Sequence, residues 1–129
     1  LYREDDLPDA PTRIDLAALA GRPLVSLAAS GPIGQLFTAE VAARGIALDE
    51  VISARTFHIA TALVRHGVGL TVVDSFTARA SLTAGLAMRP LAQPLRFDVN
   101  ALYLQDRPPA ALATKFLKAL AQRIEADEA

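Results

Sequence analysis

Short apolar runs alternate with stretches of helical period through the first three quarters of the chain. Apolar runs of four or five residues are typical of buried strands, whereas apolar residues at spacing i, i+3, i+4 indicate one face of a helix. The runs predict strands at Pro23–Leu27, Val51–Ala54 and Leu70–Val73. Strands separated by single helices predict right-handed βαβ units in a parallel sheet whose two faces are covered by helices.

Each predicted helix that precedes, separates or follows these strands is marked by a polar residue at its start or a glycine after its end. Asp15, Thr56 and Asp74 are typical N-cap residues, and Gly45 and Gly67 are typical terminators. The predicted helices are Asp15–Ala20, Ile33–Arg44, the segment from Thr56 to Gly67 and the segment from Asp74 to Arg79.

The pattern changes after Leu86. Two prolines interrupt Arg89–Phe97, which we interpret as a crossover out of the first sheet. A strand is predicted at Asp98–Leu104 and a helix at Ala110–Ile124, which two prolines precede. The acidic end, Glu125–Glu128, is predicted to be a frayed, solvated tail.

Composition narrows the class of protein. The 129 residues suit one domain, and 52% apolar with 21% charged residues exclude a disordered tail. Thirteen basic and fourteen acidic residues give a net charge of −1, which argues against nucleic-acid binding by this chain alone. The chain has no cysteine, which excludes a disulfide scaffold and a thiolate metal site and fits a reducing compartment.

The beginning of the sequence indicates a piece of a longer protein. The chain starts at Leu1, and its one methionine is Met88. Residues 1–11 are acidic where a signal peptide would be apolar. We therefore expect part of the function to lie in residues outside this chain.

Enzyme chemistry finds little support in the sequence. Gly67-Val68-Gly69 lies between a helix and a strand, the reverse of the order in a dinucleotide-binding motif. His58 and His66 stand eight residues apart on one predicted helix, about 12 Å along its axis, too far to share a metal. We predict neither an enzyme nor a metal or cofactor site; a cluster of Asp74, His58 and Ser30 within hydrogen-bond reach would reopen the enzyme hypothesis.

A ligand site is predicted instead at the carboxyl ends of the three strands. Ligands of open parallel sheets collect there, where helix N-termini point their amides. Helix amides and the Ser30 hydroxyl suit a carboxylate and Asp74 suits a cationic nitrogen, so a zwitterion fits both. The candidate effector-binding residues are Ser30, Gly31, Thr56, His58, Asp74 and Phe76.

Simpler roles exist for the same residues. Ser30, Thr56 and Asp74 stand where ordinary helix caps stand. Phe76 suits a core position, and His58 suits an exposed first turn of a helix. What favours a site is that all three segments fall on one edge of the predicted sheet.

Three segments resemble the effector-binding domain of LysR-type transcriptional regulators. Thr56–Ala78 carries the family's "LV..G.G" helix leading into a strand, Ile14–Leu27 resembles its "dL.g.plI" approach to a strand, and Leu102–Leu120 resembles its closing strand and terminal helix. Val73–Ala78 is similar to the "VDPFTA" of opine-responsive and lysine-biosynthesis regulators, with serine in place of proline.

The resemblance implies an α/β fold of the periplasmic-binding-protein-like (type 2) class, two lobes with an effector cleft between them. Residues 1–91 would form the second lobe, and residues 92–129 a crossover, strand and helix belonging to the first. It further implies a cytoplasmic regulator that binds DNA through an N-terminal helix-turn-helix, no membrane contact and a homo-oligomer. With most of the first lobe absent, Asp98–Leu104 would pair with another molecule, fold onto the remaining sheet or be disordered.

One alternative from another class stays open: a lobe of a transport-type solute-binding protein. Such a protein would carry a signal peptide upstream, whereas a regulator would carry a helix-turn-helix.

Overall fold

A computed structural model describes residues 1–28 and 31–128, with side chains described as far as residue 126. The chain divides into two compact units, Leu1–Arg96 and Phe97–Ala129. The described strands are β1 (Tyr2–Arg3), β2 (Pro23–Ser26), β3 (Asp49–Ser53) and β4 (Leu86–Ala87). The α-helices are α1 (Pro32–Ala43), α2 (Phe57–Arg65), α3 (Ser75–Ser81) and α4 (Ala111–Glu128), and 3₁₀-helices cover Glu4–Asp6 and Leu16–Leu19.

The parallel sheet of the first unit is organised around β2. One side of β2 pairs in parallel with β3, and on the other side Leu24 forms a parallel bridge with Leu70. The Val25 N–H donates to the Leu70 carbonyl at 2.8 Å, and the Leu70 N–H donates to the Pro23 carbonyl at 2.9 Å. The predicted parallel arrangement is therefore confirmed.

The third predicted strand, Leu70–Val73, is shortened to the single bridge at Leu70. Beyond it, the Thr71 hydroxyl rather than a backbone amide donates to the Val25 carbonyl, at 2.9 Å. The backbone of Thr71 pairs with Leu1, whose nitrogen and carbonyl bond to it at 2.9 and 3.0 Å. Because the backbone groups of Leu70 face β2, those of Thr71 face away from it, and the chain start pairs on that other side.

The amino-terminal segment contributes pairing that the apolar pattern did not predict. β1 pairs antiparallel with β4, and Ile14 forms a parallel bridge with Leu91. Beside that bridge the Gln93 amide donates to Asp15 Oδ2 at 2.7 Å. This bond, and a weaker contribution from the Ala17 N–H, holds the pKa of Asp15 below its ordinary value. Residues 90–93 are thus attached to the start of the unit.

The predicted helix boundaries of the first unit are largely confirmed, because local caps fix them. Asp15, Thr56 and Asp74 each accept a backbone N–H at the start of a helix, although the helix after Asp15 is a 3₁₀-helix. At the other end of α2, Gly67 has φ +79°, a conformation that glycine adopts without steric cost.

The expectation that every strand is covered on both faces is wrong for β3. All five of its residues are exposed, and Val51 and Ile52 keep 47% and 42% of their surface in solvent. No described strand pairs with the outer edge of β3. Coverage on both faces holds for central strands, and β3 is an edge strand.

Two clusters of buried side chains form the core of the first unit. One lies among the N-terminal segment and β2, with Leu16 and Leu24 as its most buried members. The other joins β2 to α2, with Val25, Ala60 and Val64 almost fully buried. Burial of this apolar surface holds α2 on the sheet and so fixes where its first turn lies.

In the second unit, the predicted strand Asp98–Leu104 is wrong: these residues form no strand. A strand needs a partner for its backbone groups, and the residues described here supply none. The predicted helix Ala110–Ile124 is confirmed as α4, but Glu125–Glu128 continue the helix rather than ending it. Glutamate and alanine are good helix formers, and neither glycine nor proline interrupts them.

Candidate functional site

The parallel pairing brings three chain segments to one edge of the sheet. Because β3 and Leu70 both run parallel to β2, the residues that follow each segment leave from the carboxyl ends of neighbouring strands. α1 begins after β2, α2 after β3, and α3 after Leu70–Val73. α2 and α3 also lie in contact with each other. The first turns of these helices therefore belong to the same edge.

Thr56 and His58 stand at the start of α2. The Thr56 hydroxyl oxygen accepts the Ile59 N–H at 3.3 Å, which is the N-cap bond that its position predicts. The His58 side chain is exposed. The backbone carbonyl of His58 accepts the Thr61 hydroxyl at 3.0 Å. The exposed His58 imidazole and the capping Thr56 hydroxyl therefore belong to the same end of α2.

Asp74 and Phe76 stand at the start of α3. Asp74 is half-buried; its Oδ1 accepts the Thr77 N–H at 2.8 Å and its Oδ2 accepts the Thr77 hydroxyl at 2.6 Å. These bonds fix the orientation of the carboxylate. Phe76 keeps 38% of its surface exposed and is absent from both buried clusters, so the structure does not place it in the core.

Gly31 stands at the N-cap of α1 with φ +100°, a region that favours glycine. Its carbonyl accepts the Gln35 N–H at 3.1 Å, and Pro32 occupies the first helical position. Ser30, the remaining candidate, lies outside the described residues. The structure therefore brings the starts of α1, α2 and α3 to one edge and leaves the position of Ser30 undescribed.

Two cavities, which sequence reasoning missed, lie among other residues. One of about 310 Å³ is lined by residues that include Leu7, Leu19 and Arg22, at the amino end of β2. The second, of about 400 Å³, is lined by residues that include Glu4 and Arg89. The walls of the first cavity come from residues 6–22, whereas those of the second come from residues 4–8 and 87–89, which are far apart in the chain. None of the candidate effector-binding residues that the structure describes lines either cavity.

Within the described residues, no group of three or more histidine or acidic side chains is arranged to hold a metal ion. None of the described helices combines the length and apolarity that a membrane crossing requires. The described candidate residues at the edge supply helix amides, the oriented Asp74 carboxylate, the His58 imidazole and the Phe76 ring.

Comparison with known proteins decides the family. The profile described as "LysR substrate binding domain" matches residues 3–125, nearly the whole chain. The chain belongs to the LysR substrate-binding domain family. It is also 32% identical over 117 residues to HTH-type transcriptional regulator DgcR of Pseudoalteromonas sp., which covers 91% of this chain and 40% of that protein.

Membership confirms the family resemblance carried by the three sequence segments, at the level of LysR-type effector domains. The family is regulatory and not enzymatic, and its fold is α/β and periplasmic-binding-protein-like. The chain is thus a substrate-binding domain of the LysR type. It spans 40% of the length of the regulator that it matches.

Proposed function

We propose that this chain is the effector-sensing part of a LysR-type transcriptional regulator and that it binds a small organic or amino-acid-like effector. One observation carries the proposal: parallel pairing of β2 with β3 and with Leu70 gathers the first turns of α1, α2 and α3 at one edge. Substrate-binding folds of this class hold their ligands at such an edge.

The chemistry of the edge supports a zwitterionic effector. The first-turn amides of α1 suit a carboxylate, and the oriented Asp74 carboxylate suits an ammonium group. His58 and Phe76 are exposed enough to contact the rest of the solute. The proposed binding residues are Ser30, Gly31, Thr56, His58, Asp74 and Phe76. Similarity of Val73–Ala78 to opine-responsive and lysine-biosynthesis regulators supports an amino-acid-like solute.

The effector would lie between two lobes. In this proposal residues 1–91 form the second lobe, and residues 92–129 form a crossover and the terminal helix of the first. Asp98–Leu104, which form no strand in this chain, would become a strand only when the rest of the first lobe pairs with them. Exposed apolar side chains after residue 96, such as Leu102 at 93%, support a role for this segment in a larger body.

Regulation would proceed by population shift. An effector that contacts both lobes favours one arrangement of the lobes. The assembled cytoplasmic regulator then changes how it binds DNA. DNA binding is assigned to a helix-turn-helix outside this chain, which the printed name of the related regulator supports. The exposed Val51 and Ile52 on the edge strand β3 support a homo-oligomer.

The test is isothermal titration of the complete effector domain, first lobe included, against a panel of amino acids and organic acids. Asp74→Asn keeps an N-cap acceptor but removes the charge, so it should weaken amino-acid binding about tenfold to hundredfold. Organic acids without an ammonium group should bind Asp74→Asn as they bind the parent domain.

Asp49→Asn is the matched control, since Asp49 is an exposed aspartate at the amino end of β3, on the opposite edge. It should bind like the parent. If no zwitterion of the panel binds the parent domain, the amino-acid part of the proposal is lost. Equal affinities for the parent and Asp74→Asn would remove Asp74 from the site.

The alternative, a lobe of a transport-type solute-binding protein, is weakened by membership of a regulator family. Translation of the complete reading frame separates the two. A helix-turn-helix upstream supports the regulator, and a signal peptide upstream supports the transport protein.

A further inference from the structure

Gly34 lies in the first turn of α1, where the helix approaches the end of β2 more closely than a side chain allows. A Cβ at this position would lie 1.9 Å from the Leu27 carbonyl oxygen, 2.7 Å from its carbon and 3.2 Å from Ala28 Cα. All three are backbone atoms, which cannot rotate away as a flexible side chain can. Gly34 itself is buried.

Backbone conformation does not explain the glycine. Gly34 is absent from the residues with positive φ, and in a helical conformation alanine is favoured over glycine. Gly31 and Gly45 differ in both respects, since they have positive φ and a Cβ on either meets nothing within 4 Å, whereas Gly67 and Gly69 combine positive φ with close contacts. The specific property of Gly34 is therefore close contact.

This contact sets the position of α1 at the edge where α2 and α3 also begin. Leu27 is the residue directly after β2, so the contact joins the first turn of α1 to the carboxyl end of the central strand. The Thr38 hydroxyl donates to the Gly34 carbonyl at 2.9 Å, which ties the same turn to the next.

We propose that Gly34 is a positioning residue: its missing side chain lets the first turn of α1 lie against the end of β2. The backbone amides of that turn are thereby held at the same sheet edge as Thr56 and Asp74. The inference rests on the proposed function for what those amides bind, whereas the position of the turn is a matter of packing alone.

The change Gly34→Ala tests this inference in the complete regulator that contains this chain. The new Cβ must move from 1.9 Å to at least 3.0 Å from the Leu27 oxygen, so the first turn of α1 shifts by more than 1 Å. The titrant is the panel amino acid or organic acid that the parent regulator binds most tightly. We expect its affinity to fall about tenfold to hundredfold, as hydrogen bonds to a charged group are misaligned.

A second readout reports the position of the turn without any effector. In this 129-residue chain, the amide chemical shifts of Ala28 and Gln35 should move more than those of Ala60 and Ala78, which lie in the first turns of α2 and α3 or directly after them. The matched control is Ala39→Gly, at an exposed position of α1, which weakens the same helix without displacing its first turn. It should leave both the affinity and the Ala28 shift at the parent values.

The outcomes separate the two proposals. Parent-like Ala28 and Gln35 shifts in Gly34→Ala overturn the positioning role. Shifted amides with unchanged affinity overturn its link to the site. If the parent regulator binds no panel compound, the proposed function fails, and the chemical shifts still decide the positioning role.

If Gly34→Ala does not fold by circular dichroism, Thr38→Val replaces it. That change removes the hydroxyl bond to the Gly34 carbonyl without a clash, and it should weaken binding about threefold and move the Gln35 shift. Parent-like values of both overturn the inference.

Discussion

The two units of the chain differ in how far their apolar side chains are buried. In the first unit Leu16 and Leu24 are almost completely buried, at 0% and 1% exposure. In the second unit Leu102 is 93% exposed and Phe116 is 63% exposed, and no described side chain after residue 96 is buried. The difference teaches that the first unit carries its own core, whereas residues 97–126 hold α4 by local helix propensity and leave their apolar side chains in solvent.

The largest expected effect is in the core of the first unit. Leu24→Ala should lower the free energy of unfolding by about 2–5 kcal/mol, because it removes a buried side chain from the central strand. Urea unfolding followed by circular dichroism measures it in this chain. Leu102→Ala, the same change at an exposed site, should cost less than about 0.5 kcal/mol. Equal losses of unfolding free energy in the two variants would contradict the difference in burial between the two units.

The second effect is a pH dependence of the first unit. The Leu1 amino group is buried, and its nitrogen donates to the Thr71 carbonyl. Burial lowers the pKa of this group from 8.0 to about 6. Between pH 6 and pH 8 the unfolded chain then binds more protons than the folded chain. The free energy of unfolding should therefore rise by about 2 kcal/mol from pH 6 to pH 8 and level off at higher pH.

Denaturant titrations at several pH values measure this rise in a chain that begins at Leu1. Acetylation of the amino group is the control, because it removes the titration and keeps an N–H donor. A profile that the acetylated and free chains share would assign the pH dependence to another group.

The third effect concerns the caps of the helices at the candidate site. Asp74→Ala should lower the free energy of unfolding by about 1 kcal/mol, since it removes the acceptor of the Thr77 N–H. Asp74→Asn should cost less, because asparagine caps about as well. Thermal unfolding of the three proteins gives the order, and an asparagine variant as unstable as the alanine variant would contradict the capping role.

In this chain by itself, the smallest effect is expected in the second unit. Phe116→Ala should change the free energy of unfolding of this chain by less than about 0.5 kcal/mol, because the ring is largely exposed. In the complete regulator, where the proposed first lobe covers this helix, the same change should cost about 3–5 kcal/mol. Parallel unfolding measurements on both proteins decide it. An equally small loss of unfolding free energy in both proteins would argue against burial of α4 by the first lobe.

The candidate site was predictable as far as local chemistry reaches. Thr56 and Asp74 were predicted as caps from residue type and spacing, and the structure confirms both caps. Their gathering at one edge followed from the parallel order of the segments. The effector role of these residues stays a prediction. The close contact of Gly34 with Leu27 was not predictable, since it joins a helix to the end of a strand through backbone atoms.

By itself the sequence determined the helices, their caps and their glycine stops, because these depend on residues within four or five positions of each other. The sequence also predicted the segments of β2 and β3, but only the tertiary structure decided which of the predicted strands form and how far they are covered. Leu70–Val73 keeps one bridge, β3 remains an exposed edge, and Asp98–Leu104 forms no strand. The reason is that a helix completes its hydrogen bonds within its own segment, whereas a strand depends on a partner that arrives from elsewhere in the chain.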